Sequence, residues 1–187
     1  YAAANTYLYQ DLRSGLRPNT PLVAPMLDFN HVGTPTAFGG RFDLDANFLS
    51  IYRADAADTQ RASLKFGYEI PFVADAGHIT TFRTTLQSDL YFVQQADNSA
   101  EEDGFTGRLF PQVTVDWRYP FVRSAGRTRQ VIEPIAALVV APNGSNPAAI
   151  PSEDSVVVEI DDTNILSPDR FPGIDRVESG QKIIYGV

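Results

Sequence analysis

Residues 38–53 read FGGRFDLDANFLSIYR, and the character of the side chain alternates from one position to the next. Side chains along a β-strand point alternately to its two faces, so this stretch predicts a ribbon with one apolar and one charged face. A strand of this length would span about 50 Å, which is well over twice the usual strand and is typical of barrels that cross a membrane. The apolar face carries Phe38, Phe42, Leu44, Ala46 and Phe48, and the polar face carries Arg41, Asp43, Asp45 and Asn47.

The same alternation recurs in three consecutive candidate strands, at 59–72, 78–95 and 104–122. Further candidate strands lie at 1–10, 21–31 and 128–141 and from about 181 onward, and most of the links are too short for crossover helices. The chain therefore predicts an all-β fold, an antiparallel up-and-down meander of about eight strands that forms a segment of a large transmembrane barrel.

In such a barrel the polar parity faces the lumen and the apolar parity faces lipid. The predicted lumen wall comprises Arg41, Asp43, Asp45, Asn47, Arg61, Lys65, Glu69, Arg83, Asp89, Arg108, Asp116 and Arg118. The predicted lipid face comprises Phe42, Leu44, Phe48, Leu64, Phe66, Phe82, Leu86, Leu90, Val113, Val115 and Trp117.

The links between these strands alternate in length. One set comprises 11–20, 54–58, 96–103 and 142–180, and the other comprises 32–37, 73–77 and 123–127. Successive links of an antiparallel meander lie at opposite rims, so each set belongs to one rim. Long external loops and short periplasmic turns are typical of outer-membrane barrels, which predicts that 11–20, 96–103 and 142–180 face the exterior.

Composition excludes several other classes of protein. The 187 residues contain no run of apolar residues long enough for a transmembrane helix, and their net charge of -8 argues against nucleic-acid binding. The absence of cysteine excludes a disulfide framework or a cysteine-based zinc site within these residues. Both ends of the chain are strand-like, so we expect it to be an internal piece of a longer polypeptide.

Aromatic residues cluster near the strand ends and favour membrane-interface girdles, although aromatic side chains are also good strand formers in general. They are Tyr7, Tyr9, Phe38, Tyr52, Phe72, Tyr91, Phe92, Phe105, Trp117, Tyr119 and Phe121. Proline cannot donate to a strand ladder, so Pro111, Pro120 and the Glu133-Pro134 pair predict bulges or local breaks in pairing.

Two acidic clusters have a chemical interpretation and a structural one. Asp43 and Asp45 share a strand face, as an acid/base pair requires, but no nucleophile or third partner accompanies them, which favours a lumen wall. The stretch 153–162 carries enough carboxylates for a divalent cation but lacks the glycine and spacing of an EF-hand, which favours a solvated or folded loop. His31 and His78 are expected at strand–turn junctions as ordinary surface residues. We therefore predict no catalytic residue, no metal site and no cofactor.

Several stretches resemble the barrel domain of the LptD family, the lipopolysaccharide-assembly or organic solvent tolerance proteins of Gram-negative outer membranes. They include PLVAPMLDFN at 21–30, GGRFDLDANFLSIYR at 39–53, GHITTFRTTLQSDLYFV at 77–93 and most of the chain from Gly104 onward. The most specific pieces are Ile132-Glu133-Pro134 and a loop motif that comprises Asp161, Asp162, Thr163, Asn164, Arg170, Phe171, Gly173, Asp175 and Arg176. On this resemblance, residues 1–187 are part of the interior of such a barrel, with a long external loop at about 142–180.

The resemblance also implies a function and partners. The family's barrel is preceded by a periplasmic jellyroll, which receives lipopolysaccharide from the periplasmic Lpt bridge and is missing here, and a lipoprotein, LptE, plugs the lumen. The chain would act in lipopolysaccharide export at the outer membrane, without enzyme activity. The loop motif would pair its opposite charges to fold the loop into or over the barrel, with Arg170, Asp175 and Arg176 against Asp161 and Asp162.

Two other functions remain open from the sequence. A generic porin or receptor barrel shares every physical feature of the strands, and only the family-like segments at 104–187 separate it from the first interpretation. A soluble β-sandwich binding module instead predicts that Phe42, Leu44, Phe48, Phe66 and Phe82 pack against a second sheet.

Overall fold

The computed structural model describes residues 1–8, 20–54, 56–95, 103–155, 158–160 and 164–187. Strands form wherever the apolar and polar residues alternate, and they confirm the all-β fold. The strands are β1 (Ala2–Leu8), β2 (Leu22–Val32), β3 (Arg41–Tyr52), β4 (Asp58–Val73), β5 (Ile79–Gln94), β6 (Gly104–Arg118), β7 (Phe121–Ala125), β8 (Thr128–Ile132), β9 (Ile135–Val140) and β10 (Gln181–Gly186). Nowhere in the described ranges is there a helix of the length and apolarity needed to span a membrane.

Eight of the strands form one antiparallel sheet. Their order is β1-β2-β3-β4-β5-β6-β9-β10, and β7 and β8 pair separately as a hairpin. Neighbours in the sheet are neighbours in the chain, apart from that hairpin, which confirms the predicted eight-strand meander. β1 and β10 are the two edges of the sheet, so the described residues form an open section of a barrel wall.

The strand predicted at residues 38–53 is shorter than expected. β3 begins at Arg41 because residues 36–40 form a turn, in which Gly39 donates to the Thr36 carbonyl at 2.9 Å and adopts a φ of +79°. The predicted start at Phe38 is therefore wrong. The expected length is found in β4 and β5, which have 16 residues each.

Prolines divide the longest predicted hairpin into two parts. Arg118 pairs with Ile135 at the end of the main sheet, and Phe121 pairs with Ile132 in the small hairpin, so both parts keep one register. Pairing stops between them at Tyr119-Pro120 and Glu133-Pro134, as the missing proline donors predict. The breaks predicted at Pro120 and at Glu133-Pro134 are thus confirmed, and they divide the candidate strands 104–122 and 128–141. The predicted turn at 123–127 is shorter than expected, because β7 continues to Ala125 and only Gly126 and Arg127 separate it from β8.

Pro111 does not break its strand. It lies opposite Leu86 of β5, and the pairing of β6 with β9 begins only at Val113. On its β9 side Pro111 has no partner strand, so its missing N–H group costs no hydrogen bond there. The pairing of β6 with β5 therefore continues through Pro111.

The predicted lipid face is exposed, and no second sheet covers it in the described part of the chain. None of its eleven residues is buried, and Phe66 and Leu90 remain 45% and 47% exposed. A β-sandwich would bury this face against another layer. The soluble-sandwich alternative, with Phe42, Leu44, Phe48, Phe66 and Phe82 in its core, is therefore wrong for these residues.

The polar face is covered instead. Residues 142–155, 158–160 and 164–180, named here the covering segment, lie between β9 and β10 in the chain and fold back across this face. Val177 of the segment is 2% exposed and packs with Phe110 and Ala141. A second small cluster on the same face joins Val23, Leu49 and Ile51. Buried apolar contacts are thus few, and polar contacts dominate the space between segment and sheet.

Candidate functional site

A buried group of opposite charges joins the covering segment to the middle of the sheet. Arg61 of β4 lies with its Nη1 atom 2.6 Å from a carboxylate oxygen of both Asp154 and Asp175. Tyr91 of β5 donates its hydroxyl to Asp175 at 3.0 Å. Arg61 and Asp175 are only 3% and 1% exposed, so water barely screens this attraction.

The same two carboxylates fold the segment on itself. Asp175 accepts the backbone N–H groups of Glu153 and Asp154, at 2.6 and 3.0 Å. Asp154 accepts those of Ile174 and Asp175 in return, at 3.0 and 3.1 Å. Residues 153–154 and residues 174–175 therefore bind each other directly, in addition to their contacts with Arg61. This pair of stretches is named here the clamp. Without Arg61, two adjacent carboxylates would repel each other here.

Burial and charge act differently on the pKa values of the two carboxyl groups. Burial raises the pKa of Asp175, and neighbouring Asp154 adds to the rise against the pull of Arg61. Burial also acts upward on Asp154, but Arg61 and the N–H groups of Ile174 and Asp175 outweigh it and hold its pKa below the usual value. Asp154 is thus the firmly ionised partner of the arginine, and Asp175 is the first of the pair to take up a proton as the pH falls.

A second buried arginine supports the segment from β6. Arg108 donates to Asp89 of β5 from Nε at 2.8 Å and from Nη2 at 2.5 Å. Its remaining donors bind backbone carbonyls of the segment, those of Ile174 and Asp175, both at 2.7 Å. Asp89 neutralises the charge of Arg108. The guanidinium of Arg108 in turn donates to the carbonyls of Ile174 and Asp175, which have no access to water beneath the segment.

Weaker contacts hold the other parts of the segment. Glu153 pairs with Arg53 and accepts the hydroxyl of Thr59 at 2.8 Å. Asn146 binds Val177 twice, donating to its carbonyl at 2.8 Å and accepting its N–H at 3.0 Å. Glu153 thus adds a further ion pair between the segment and the end of β3, and Asn146 joins two stretches of the segment to each other.

Gly173 lets the two halves of the clamp approach each other. Its φ is +82°, and a Cβ added there would lie 2.5 Å from the backbone oxygen of Asp154. We expect Gly173→Ala to weaken segment docking by about 1–3 kcal/mol, through backbone strain and the clash together. Gly144→Ala is the matched control, since Gly144 has a φ of +70° in the same segment but nothing within 4 Å. Hydrogen exchange of residues 174–177 measures the docking, and equal effects of the two substitutions would contradict the close approach.

The remaining predicted wall residues lie on the polar face, and most of them pair with residues of other strands. Asp43 faces Arg83 at 3.4 Å, and Asp45 accepts a hydrogen bond from Asn30 at 2.5 Å. Each carboxylate of the suspected acid/base pair is thus bound by a residue of another strand, Asp43 by β5 and Asp45 by β2, as a structural wall requires. The other contacts between strands join Arg41 to Glu69, Arg83 to Glu69, and Asn47 to Asp28 and Arg61. Arg118 pairs with Asp116 of its own strand.

The predicted loop motif is described only in part. Asp161, Asp162 and Thr163 lie outside the described residues, so their pairing stays a prediction. Arg170 lies 3.2 Å from Glu178 and over the ring of Phe171, and Arg176 donates its backbone N–H to Ser155. Asn164 and Gly173 lie in the same segment. Asp175 is the motif residue that reaches the sheet, and its cation there is Arg61.

Sequence reasoning missed two members of the site. Tyr91 was assigned to an aromatic girdle, which is wrong, because the residue is fully buried on the polar face. Tyr91 lies two residues after Asp89 and therefore on the same face of the strand as that carboxylate. This spacing alone would have predicted that Tyr91 lies on the polar face. Asp154 was considered as part of an acidic stretch that would either bind a cation or form a solvated or folded loop, and no partner was predicted for it. In the described part of the chain no group of three or more acidic or histidine side chains is arranged for a metal ion.

These features define a class of protein. An open antiparallel meander with 16-residue strands, an exposed apolar face and a charged face under a folded segment is a section of a transmembrane β-barrel wall. The family model of LptD, described as LPS transport system D, matches residues 1–187, and the chain belongs to this family. It therefore functions in lipopolysaccharide transport at the outer membrane, and the family resemblance found in the sequence is confirmed. No curated protein matches the chain.

Proposed function

We propose that the polar face lines the lumen of the LptD–LptE translocon and guides lipopolysaccharide to the cell surface without chemical catalysis. Lipopolysaccharide carries sugars and charged groups on an apolar anchor, and a wall of paired charges offers them hydrogen bonds that an apolar wall lacks. The chain would supply an interior run of strands, with 11–20, 96–103 and 142–180 at the exterior. The LptE lipoprotein would fill part of the lumen, and the jellyroll that receives lipopolysaccharide would precede these strands.

The observation that carries this function is the covering segment on the charged face. Asp154 and Asp175 of the segment meet Arg61, and the segment carbonyls meet Arg108, over the middle of the sheet. A segment held at this depth narrows the lumen beside the wall. We therefore assign it a second role, as a constriction that sets the path of the sugar-bearing part of lipopolysaccharide.

Replacing residues 169–176 by a neutral linker in the full-length protein tests this function. The linker removes the Asp175 anchor and with it the pairing to Arg61, so we expect surface lipopolysaccharide to fall strongly while barrel assembly is kept. Replacing residues 147–150 by neutral residues is the control, because they lie in the same segment outside the clamp. Unchanged surface lipopolysaccharide in a correctly assembled 169–176 variant would overturn the proposal.

A further inference from the structure

The β7–β8 hairpin extends beyond the rest of the sheet. The pairing of β5 with β6 ends at Ile79 and Arg118, whereas the hairpin continues to a tip at Gly126-Arg127. All ten residues of its two strands are exposed. The predicted short turn at this rim is therefore a projecting arm, named here the rim hairpin (residues 119–134).

One side of the rim hairpin continues the exposed apolar face of β6. Trp117, Tyr119 and Phe121 share a strand parity, and their rings contact in series with centroids 6.1 and 4.3 Å apart. The imidazole of His78 from the neighbouring turn lies about as close to the first two rings, at 6.3 and 6.0 Å. Arg123 is the next residue of this parity, about 7 Å further along the strand than Phe121.

The rim hairpin is basic although the chain is acidic. Residues 119–134 contain Arg123, Arg127 and Arg129 and one carboxylate, in a chain of net charge -8. That carboxylate, Glu133, lies at the base of the hairpin, 3.8 Å from Arg118. Among the described residues no carboxylate lies within 4.0 Å of these three guanidinium groups. The apolar residues beside them are also uncovered, with Phe121, Val122, Val131 and Ile132 between 49% and 59% exposed.

We propose that the rim hairpin docks on the anionic phospholipid headgroups of the leaflet at this rim. This rests on the proposed function, in which the apolar face meets lipid. Aromatic rings favour the headgroup level, and arginines just beyond them reach lipid phosphates while their stems stay on apolar surface. The order along one face is apolar strand, aromatic cluster, then Arg123, which is the order of layers at a membrane surface. An acidic protein partner would also neutralise the arginines. It would not explain why the exposed apolar face continues without a break up to Arg123.

The breaks at the base of the hairpin suit this docking. Pairing lapses at Tyr119-Pro120 and Glu133-Pro134, where one backbone bond remains, from the Tyr119 N–H to the Pro134 carbonyl at 3.0 Å. A ladder interrupted on both strands bends more readily than a continuous one. The hairpin is thus free to lean from the wall toward the headgroups without disturbing β6 or β9.

Lipid quenching of a label on the hairpin tests the proposal. The full-length protein, with Ser124→Cys as its single labelled cysteine, is placed in nanodiscs of phosphatidylethanolamine with either phosphatidylglycerol or phosphatidylcholine, each doped with headgroup-quencher lipid. We expect strong quenching with phosphatidylglycerol that drops several-fold with phosphatidylcholine, in the R123E/R127E/R129E variant, or in roughly 0.5 M salt. The R123K/R127K/R129K variant is expected to keep the quenching, since it keeps the charge.

A label at Ala76→Cys, on the neighbouring turn of the same rim, is the matched control. Its quenching is expected to be the same in both lipid mixtures and in the charge-reversed variant. The proposal would be overturned if quenching at position 124 were the same in both lipid mixtures and in the charge-reversed variant. It would also be overturned if a bound protein shielded the label from quencher in both mixtures. Incorporation into nanodiscs and surface lipopolysaccharide are measured separately, so failure of the proposed function is recognised independently.

Discussion

Replacing Arg61 by alanine is expected to detach the covering segment from the sheet. The guanidinium is 3% exposed and is the cation that both Asp154 and Asp175 contact. Removing it leaves buried Asp175 and partly buried Asp154 without a cation, and breaking a buried pair from one side costs about 3–5 kcal/mol. Hydrogen exchange of residues 174–177 in the full-length protein measures the loss, which should appear as protection lowered by several hundredfold or more.

Arg41→Ala is the matched control for this experiment. Arg41 is on the same face and pairs with Glu69 at 2.9 Å, but its side chain is 50% exposed. Such a pair contributes about 0–1 kcal/mol, so residues 174–177 should exchange as in the unaltered protein. If Arg61→Ala leaves this exchange unchanged while the barrel is assembled, the segment is held by contacts other than the buried charges.

The faces of the sheet were predictable because they depend on a local rule. Side chains alternate along any strand, so parity alone assigned Phe66 and Lys65 to opposite faces without knowledge of the partners. The bounds of β4 and β5 were predicted within one residue for the same reason. β3 was not, because a turn at residues 36–40 competes with a pattern that still alternates through it.

The site was not predictable because its partners are far apart in the chain. Arg61 and Asp175 are separated by 114 positions, and the link that brings them together has no strand period of its own. Pattern reasoning assigned Arg61 to the wall, and the family resemblance assigned Asp175 to a loop that folds into or over the barrel. Which arginine meets which carboxylate depends on how residues 153–154 and 174–175 clamp each other, and that geometry has no signature in the sequence.

Asp89→Ala is expected to weaken the sheet and the covering segment together. Asp89 is completely buried, and it accepts hydrogen bonds from Arg108, from Ser63 at 2.5 Å and from Gln87 at 3.0 Å. Alanine leaves the Arg108 guanidinium buried with only carbonyl partners, a loss of about 3–5 kcal/mol. Because Arg108 lies between β5 and the segment, thermal stability of the barrel and protection of residues 174–177 should both fall.

This joint loss distinguishes Asp89 from Arg61, whose replacement should affect the segment more than the strands. Asp116→Ala is the control, because Asp116 pairs with Arg118 on the same face but is 30% exposed, and it should cost about 0–1 kcal/mol. Asp89→Asn keeps an acceptor for Arg108 without the charge and should lie between the two. An Asp89→Ala protein as thermally stable as Asp116→Ala would mean that Arg108 finds another partner or reaches water. Arg108 would then contribute less to the docking of the covering segment than Arg61 does, and Arg61→Ala would become the stronger test of how the lumen is constricted.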